Sequence, residues 1–297
     1  YADDATGVLP ASDPSRDGYI FAGWFTLAEG GEQVTANTAL PTADATYYAH
    51  WNLVVAMIGD TPYTSLEEAL AAANAGDTIR LASDVDLAGD LGVNKNVTLD
   101  LSGQAIASSS SSRVVVSSGS ELTLENGGDS ALDFSILDNQ GAVAIKSGRY
   151  DGAIPSTWNM TIEGGIFSPK PDDKFALAGK RFAQRSDSYW MLIDDSQVLL
   201  DDEPVDRSVA VAQAAADPTR PHVISLPESD VSGSTGLSGN ILDLVGEIAG
   251  PGAQGVDISL EVATSQGVAV FDNAALLAVA AGMPAEATEL HFHVSET

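Results

Sequence analysis

Between residues 79 and 167 the chain keeps returning to one short pattern. Val97-Thr-Leu-Asp-Leu101, Leu122-Thr-Leu124, Val143-Ala-Ile145 and Met160-Thr-Ile162 are brief aliphatic runs set off by Gly, Asn, Ser and Asp, with starts 25, 21 and 17 residues apart. Runs this short cannot bury a face alone. Spaced near twenty, each can close the face of the one before it, as coils of a parallel β-helix do. A second echo repeats at the last of these offsets: Ile145-Lys-Ser-Gly-Arg-Tyr150 and Ile162-Glu-Gly-Gly-Ile-Phe167 share I-x-x-G-x-aromatic, 17 apart. A β-sandwich with uneven loops is the competing reading, because the repeat is imperfect. A column of coils has open ends that expose core and unpaired strand edges, so it needs a lid. Residues 65–74 offer one. Ser65 with Glu68 three later forms a capping box, and Leu66, Ala69, Leu70 and Ala73 fall at i, i+3, i+4 and i+7. Asn74 to Asp77, with Gly76, ends that helix, and Thr78-Ile-Arg-Leu81 switches to period two. A strand from Leu53 to Ile58 and a turn at Gly59-Asp60 precede it.

At 297 residues the chain exceeds one small domain. Its segments divide as 1–52, 53–195 and 196–297, a multidomain, mainly β architecture. The first 52 residues form a small β-module, with Pro10, Pro14, Gly18, Gly23, Gly30-Gly31 and Pro41 between short apolar runs. Tyr19, Phe21, Trp24, Phe25, Tyr47, Tyr48 and Trp51 give it a core of rings. An acidic stretch, Asp194-Asp195 through Pro204, reads as a linker. Beyond it the chain turns Ala-rich. Leu237, Ile241, Leu244, Val245 and Ile248 make a helical stripe stopped at Gly250-Pro251, and Val256 to Val262 alternate as a half-buried strand. Gly267–Phe271 completes a hairpin, Asp272 caps a helix through Ala281, and Leu290, Phe292 and Val294 form a last strand: an α+β domain.

Asp13-Pro14-Ser15-Arg16-Asp17-Gly18-Tyr19-Ile20-Phe21-Ala22-Gly23-Trp24, Glu29-Gly30-Gly31 and Tyr48-Ala49-His50-Trp51 together resemble the Listeria–Bacteroides repeat, or internalin B-repeat. The resemblance covers about one sixth of the chain. It implies a ubiquitin-like β-grasp module of secreted and wall-attached bacterial proteins, in which a further strand precedes the first turn. Tyr63 to Leu70, Gly76 to Ile79, Asn96 to Gly103 and Gly164 to Ser168 resemble the short right-handed β-helix modules of bacterial surface proteins. That likeness implies a closing piece: a short helix at Asp172–Ala178 capped by Gly179, then a hairpin of Arg181–Gln184 with Tyr189–Ile193.

Forty-two acidic against 13 basic residues leave a formal charge of −29, which repels phosphate backbones and anionic lipid. No uncharged apolar run approaches the roughly 18 residues a membrane span needs. With no cysteine there is no disulfide, thiolate metal site or cysteine nucleophile. The termini, Tyr1-Ala-Asp-Asp and Val294-Ser-Glu-Thr297, read as those of a piece cut from a longer chain.

Candidate chemistry is sparse. His291 and His293 share one strand face without an evident third ligand, and His222 and His50 have no flanking base or nucleophile pattern. Carboxylates crowd at Asp84, Asp86 and Asp90, at Asp172 and Asp173, and at Asp201, Asp202 and Glu203, but none has the ligand spacing of an EF-hand calcium loop. A β-helix lyase or hydrolase would need Asp100, Glu125, Lys146, Arg149, Asp151 and Glu163 to converge on neighbouring coils. A glycan-binding module would need Trp24, Tyr48, Trp158 or Trp190 to line a groove. The favoured reading assigns no catalytic, cofactor or metal residue. It describes an extracellular, wall-associated stalk or interaction scaffold, monomeric, with a protein or glycan partner, no nucleic acid and no membrane insertion.

Overall fold

The computed structural model describes residues 12–35, 38, 45–128, 131–226, 231–232, 236–237, 239–264, 267–282 and 290–291. The chain forms two compact units, Tyr1–Ser130 with Ile136–Gly141, and Ala131–Ser135 with Ala142–Thr297. The protein is mainly β, and its middle is a β-solenoid of about four turns.

The first unit opens with a three-stranded antiparallel sheet in which Tyr19–Phe25 is central, between Gln33–Val34 and Tyr48–Leu53. The Gly-Trp pair explains itself here. Phe21 lies opposite Trp51 but Gly23 lies opposite His50, so Ala22 is an extra residue in a bulge. Gly23 has φ +122, and a Cβ there would meet Gln33 Nε2 at 2.5 Å. The bulge puts Phe21 and Trp24 on one face with Trp51, with edge-on ring contacts of 5.5 Å from Phe21 to each indole. The strand expected before the first turn falls outside the described residues.

The expected strand Leu53–Ile58 breaks at Val54 and Val55. Val54 N–H bonds the Gly18 carbonyl (2.9 Å) and Val55 N–H bonds the Tyr63 carbonyl (2.9 Å), so two sheets share the segment. Ala56–Ile58 and Thr61–Tyr63 then form a hairpin around Gly59 and Asp60. The helix runs Leu66–Ala72, with Ser65 Oγ accepting from Glu68 N–H at 3.1 Å. The Glu68 carboxylate turns back to the Thr64 hydroxyl, 2.7 Å away. At the other end the Lys95 ammonium donates to the carbonyls of Ala73 (2.8 Å) and Ala71 (3.3 Å), meeting the helix's negative pole. The helix buries Leu66, Ala69 and Leu70, and Ala56–Ile58 pairs antiparallel on the outer edge of Thr78–Leu81. That strand edge is therefore closed by Ala56–Ile58, beside the helix expected as the lid.

Beyond this lid the strands run parallel. Thr78–Leu81, Val97–Asp100 and Glu121–Glu125 stack with Ile79, Leu99 and Leu124 in register. All three are at most 3% exposed, while Thr98, Thr123, Asp100 and Glu125 between them stay half-buried. A second sheet stacks Leu91, Val114 and Leu137, and Val85–Asp86 pairs with Ile106–Ala107. In the second unit Ala142–Ile145 pairs parallel with Met160–Ile162, and Ala131–Asp133, Arg149–Asp151 and Ile166–Ser168 follow one another in parallel. The 17-residue echo marks this sheet. Tyr150 and Phe167 are register partners whose rings stack at 5.5 Å, with Phe134 on the other side of Tyr150 at 5.2 Å.

The hairpin Lys180–Gln184 with Trp190–Asp194 adds antiparallel to Ile166–Ser168, and Phe182 meets Phe167 edge-on at 5.9 Å. The expected helix at Asp172–Ala178 shrinks to one 3₁₀ turn, Asp173–Phe175, capped by Asp172. Leu177 N–H then bonds the Ile162 carbonyl at 2.8 Å and occupies the last strand edge.

The acidic stretch at Asp194–Pro204 is no linker. Gln197–Leu200 and Glu203–Asp206 form a hairpin that buries Val198 and Leu199 completely. They join a five-stranded sheet in the order Glu203–Asp206, Gln197–Leu200, His222–Leu226, Ile258–Thr264, Gly267–Phe271, in which only the third and fourth strands pair parallel. Helices Ala210–Ala215, Gly239–Ile248 and Asn273–Gly282 supply Val211, Leu244, Val245 and Leu276 to its core. Asp272 Oδ1 accepts from Ala275 N–H (2.7 Å), the expected cap. Leu237 belongs to a short strand, Gly236–Leu237, paired with Leu290–His291, so the helix starts later than its apolar stripe. The remainder of the expected last strand lies outside the described residues.

Candidate functional site

Most of the carboxylates that crowd the sequence accept from backbone. Asp84 accepts from Ala105 N–H (2.8 Å), Asp90 from Arg113 N–H (2.9 Å), and Asp86 from both N–H (2.9 Å) and hydroxyl (2.7 Å) of Ser109. Each bond reaches one coil onward, so these acids staple neighbouring coils where strands give way to loops. The Ser109 hydroxyl, then its N–H, holds the Asp86 carboxyl below its ordinary 3.8. Ser108–Ser112 is therefore part of the coil edge, with Ser110 Oγ also donating to the Leu87 carbonyl at 2.9 Å. Asp172 is lowered by the Lys174 N–H it caps, and Asp173 pairs with Lys170 at 3.1 Å. Glu203 faces solvent opposite Leu200.

The six residues of the enzyme hypothesis divide between sheets. Asp100 and Glu125 are register neighbours, as their spacing suggests, with Arg80 the partner of Asp100 on the other side. Asp100 accepts from Ser102 N–H at 2.8 Å. Lys146 and Glu163 follow the strands Ala142–Ile145 and Met160–Ile162. Arg149 and Asp151 lie on another sheet and meet a residue sequence reasoning passed over, Tyr189. Its hydroxyl donates to Asp151 Oδ1 (2.7 Å) while the Arg149 guanidinium lies 3.8 Å from its ring centroid. The bond between Arg149 and Tyr189 raises the guanidinium further above its ordinary value. Tyr189 thus ties the terminal hairpin to an outer coil by a cation–π contact and a charge-assisted hydrogen bond.

The four aromatic candidates sit in separate settings. Trp24 packs on Phe21, Trp158 meets Phe134 edge-on at 6.4 Å, and Trp190 has the Lys170 ammonium 5.2 Å from its ring. Tyr48 is the exposed one, at 41%. His50 stacks on Phe25 at 3.9 Å and bonds the Leu27 carbonyl at 3.0 Å. His291 lies on a described strand, whereas His293 lies outside the described residues. Among the described residues no group of three or more His, Asp or Glu side chains is placed to hold a metal ion, and no helix is long and apolar enough to cross a membrane.

With the bulged sheet and its ring cluster in view, the comparison with known families falls into place. Residues 1–50 match the Listeria-Bacteroides repeat domain. This repeat is typical of bacterial surface proteins, so its presence associates the chain with a bacterial surface. No curated protein and no solved structure gives a significant match to the chain.

Proposed function

We propose that the protein is an extracellular, wall-associated stalk or interaction scaffold that performs no catalysis. The Listeria-Bacteroides repeat at residues 1–50 carries the surface assignment. The scaffold reading rests chiefly on where the acids go: Asp84, Asp86 and Asp90 each commit one carboxylate oxygen to an N–H group of the next coil. A short solenoid in which Thr78–Leu81 is paired by Ala56–Ile58 and Ile166–Ser168 by the terminal hairpin suits a load-bearing spacer. The charge of −29 favours solubility of an exposed polymer. A glycan array read beside a reducing-end assay on mixed polysaccharides tests this. Silence in the reducing-end assay is expected, binding without cleavage makes the partner a glycan, and cleavage overturns the proposal.

A further inference from the structure

Three segments of the second unit converge on one buried imidazole. The His222 side chain is 2% exposed, with Nδ1 2.8 Å from Asp201 Oδ2 and Nε2 2.7 Å from the Asp217 carbonyl. A carboxylate and a carbonyl can only accept, so satisfying both bonds requires both ring nitrogens to donate, which is the imidazolium form. A neutral ring would leave one nitrogen lone pair facing an acceptor lone pair in a buried place. The Arg220 guanidinium completes the group, 2.7 Å from Asp201 Oδ2 and 3.1 Å from Asp217 Oδ2. The adjoining strand contributes two neutral contacts, the Asp257 carbonyl accepting from His222 N–H (2.8 Å) and the Ser259 hydroxyl donating to the His222 carbonyl (3.4 Å). Among the described residues the charged groups around the ring are thus Asp201, Asp217 and Arg220. They balance when His222 carries its proton.

We infer that this cluster is a proton-operated latch: protonated His222 locks the Asp201–Asp202 turn to the Asp217–His222 loop, and loss of the ring proton loosens both. The turn needs holding. Asp201 and Asp202 have φ of +51 and +71, a left-handed conformation that side-chain-bearing residues adopt at a cost. Asp201 is held by its own N–H to the Val223 carbonyl (2.9 Å) and by Val223 N–H to its Oδ1 (3.0 Å), besides Arg220 and His222. Asp202 accepts from the Ser186 N–H (2.7 Å) and hydroxyl, so the same turn tethers the hairpin that ends the solenoid.

Burial opposes charge on His222, but its bonds to the Asp217 carbonyl and the Asp201 carboxylate outweigh burial and raise its pKa above 6.5. Burial likewise opposes the Asp201 charge, and the Val223 N–H, His222 and Arg220 reverse it, taking its pKa below 3.8. A raised folded-state value means stability fully present below pH 6.5 and lost as pH rises through the folded value. For Asp201 the stability is present above 3.8 and lost as pH falls through its lowered value. The latch is fully engaged between those limits.

The test is an NMR titration of the four histidines in the full chain, with His222 assigned by its loss in His222→Gln, together with hydrogen exchange at the Val223 amide. The expected result is a His222 midpoint above 6.5, with Val223 exchange, corrected for intrinsic rate, accelerating through the same midpoint. Arg220→Gln removes a repelling cation and shifts that midpoint up, whereas Asp201→Asn shifts it down. A midpoint at or below 6.5, shifts of the opposite sign, or a Val223 profile unchanged in His222→Gln overturns the latch.

Discussion

Leu99→Ala probes the column of inward aliphatics at its most constrained point. Leu99 is 3% exposed and lies between Ile79 and Leu124 in register, with parallel strands paired on both sides. Burying a leucine is worth about 1.5–3 kcal/mol, and a cavity left by Leu→Ala raises the loss to about 2–5 kcal/mol depending on collapse. Collapse is poor here because the backbone ladder fixes the distance between coils, so we expect about 3 kcal/mol or more. Thr98→Ala, one residue away and on the half-buried face, should cost below about 1 kcal/mol. Amide hydrogen exchange of Leu122–Glu125 in the full chain reads both. Leu99→Ala should reduce protection by about a hundredfold or more, Thr98→Ala by less than about tenfold. Equal effects, or less than tenfold for Leu99→Ala, would refute the inward-column reasoning.

Lys95→Met leaves the carbonyls of Ala71 and Ala73 without their ammonium and should cost about 0.5–1 kcal/mol in urea unfolding, less at high salt in the wild-type comparison. Gly128→Ala places a Cβ 2.3 Å from Gly103 Cα, backbone against backbone, and should destabilise by about 1–3 kcal/mol or force the two loops apart, visible as lost protection at Gly103. Asp86, with its carboxyl lowered from 3.8, contributes stability above that pH that is lost as pH falls through its folded value. Asp86→Asn should therefore flatten the acid limb of the thermal midpoint against pH, and an unchanged limb would count against the staple.

The solenoid was legible because its inward residues obey a local rule. Thr78-Ile-Arg, Thr98-Leu-Asp and Thr123-Leu-Glu each place one aliphatic between two polar side chains, and the structure stacks the three triplets in register. The I-x-x-G-x-aromatic echo carried the Tyr150–Phe167 stack for the same reason. What sequence reasoning missed involves a partner with no residue signature. The bonds of Asp84, Asp86 and Asp90 go to backbone N–H groups 21 to 23 residues on, and any residue except proline offers that donor. Asp194–Pro204 is not the linker its acids suggest, because those acids lie at the turns and rims while Val198, Leu199 and Leu200 pack inward. Asp201 and His222 meet because Leu199 and Leu200 pair with Ser225 and Ile224, a register set by the whole sheet. Tyr189 finds Asp151 across 38 residues, and only the antiparallel docking of the terminal hairpin brings them together.

A chain without cysteine permits a direct test of the coils on which the scaffold rests. Thr98 and Thr123 are parallel register partners on one face, within reach of a disulfide if replaced by cysteine. Under mild oxidation Thr98→Cys with Thr123→Cys should cross-link nearly completely, and Thr98→Cys with Leu122→Cys, on opposite faces, should remain reduced. Cross-linking of the second pair in preference to the first would contradict the stacked parallel coils.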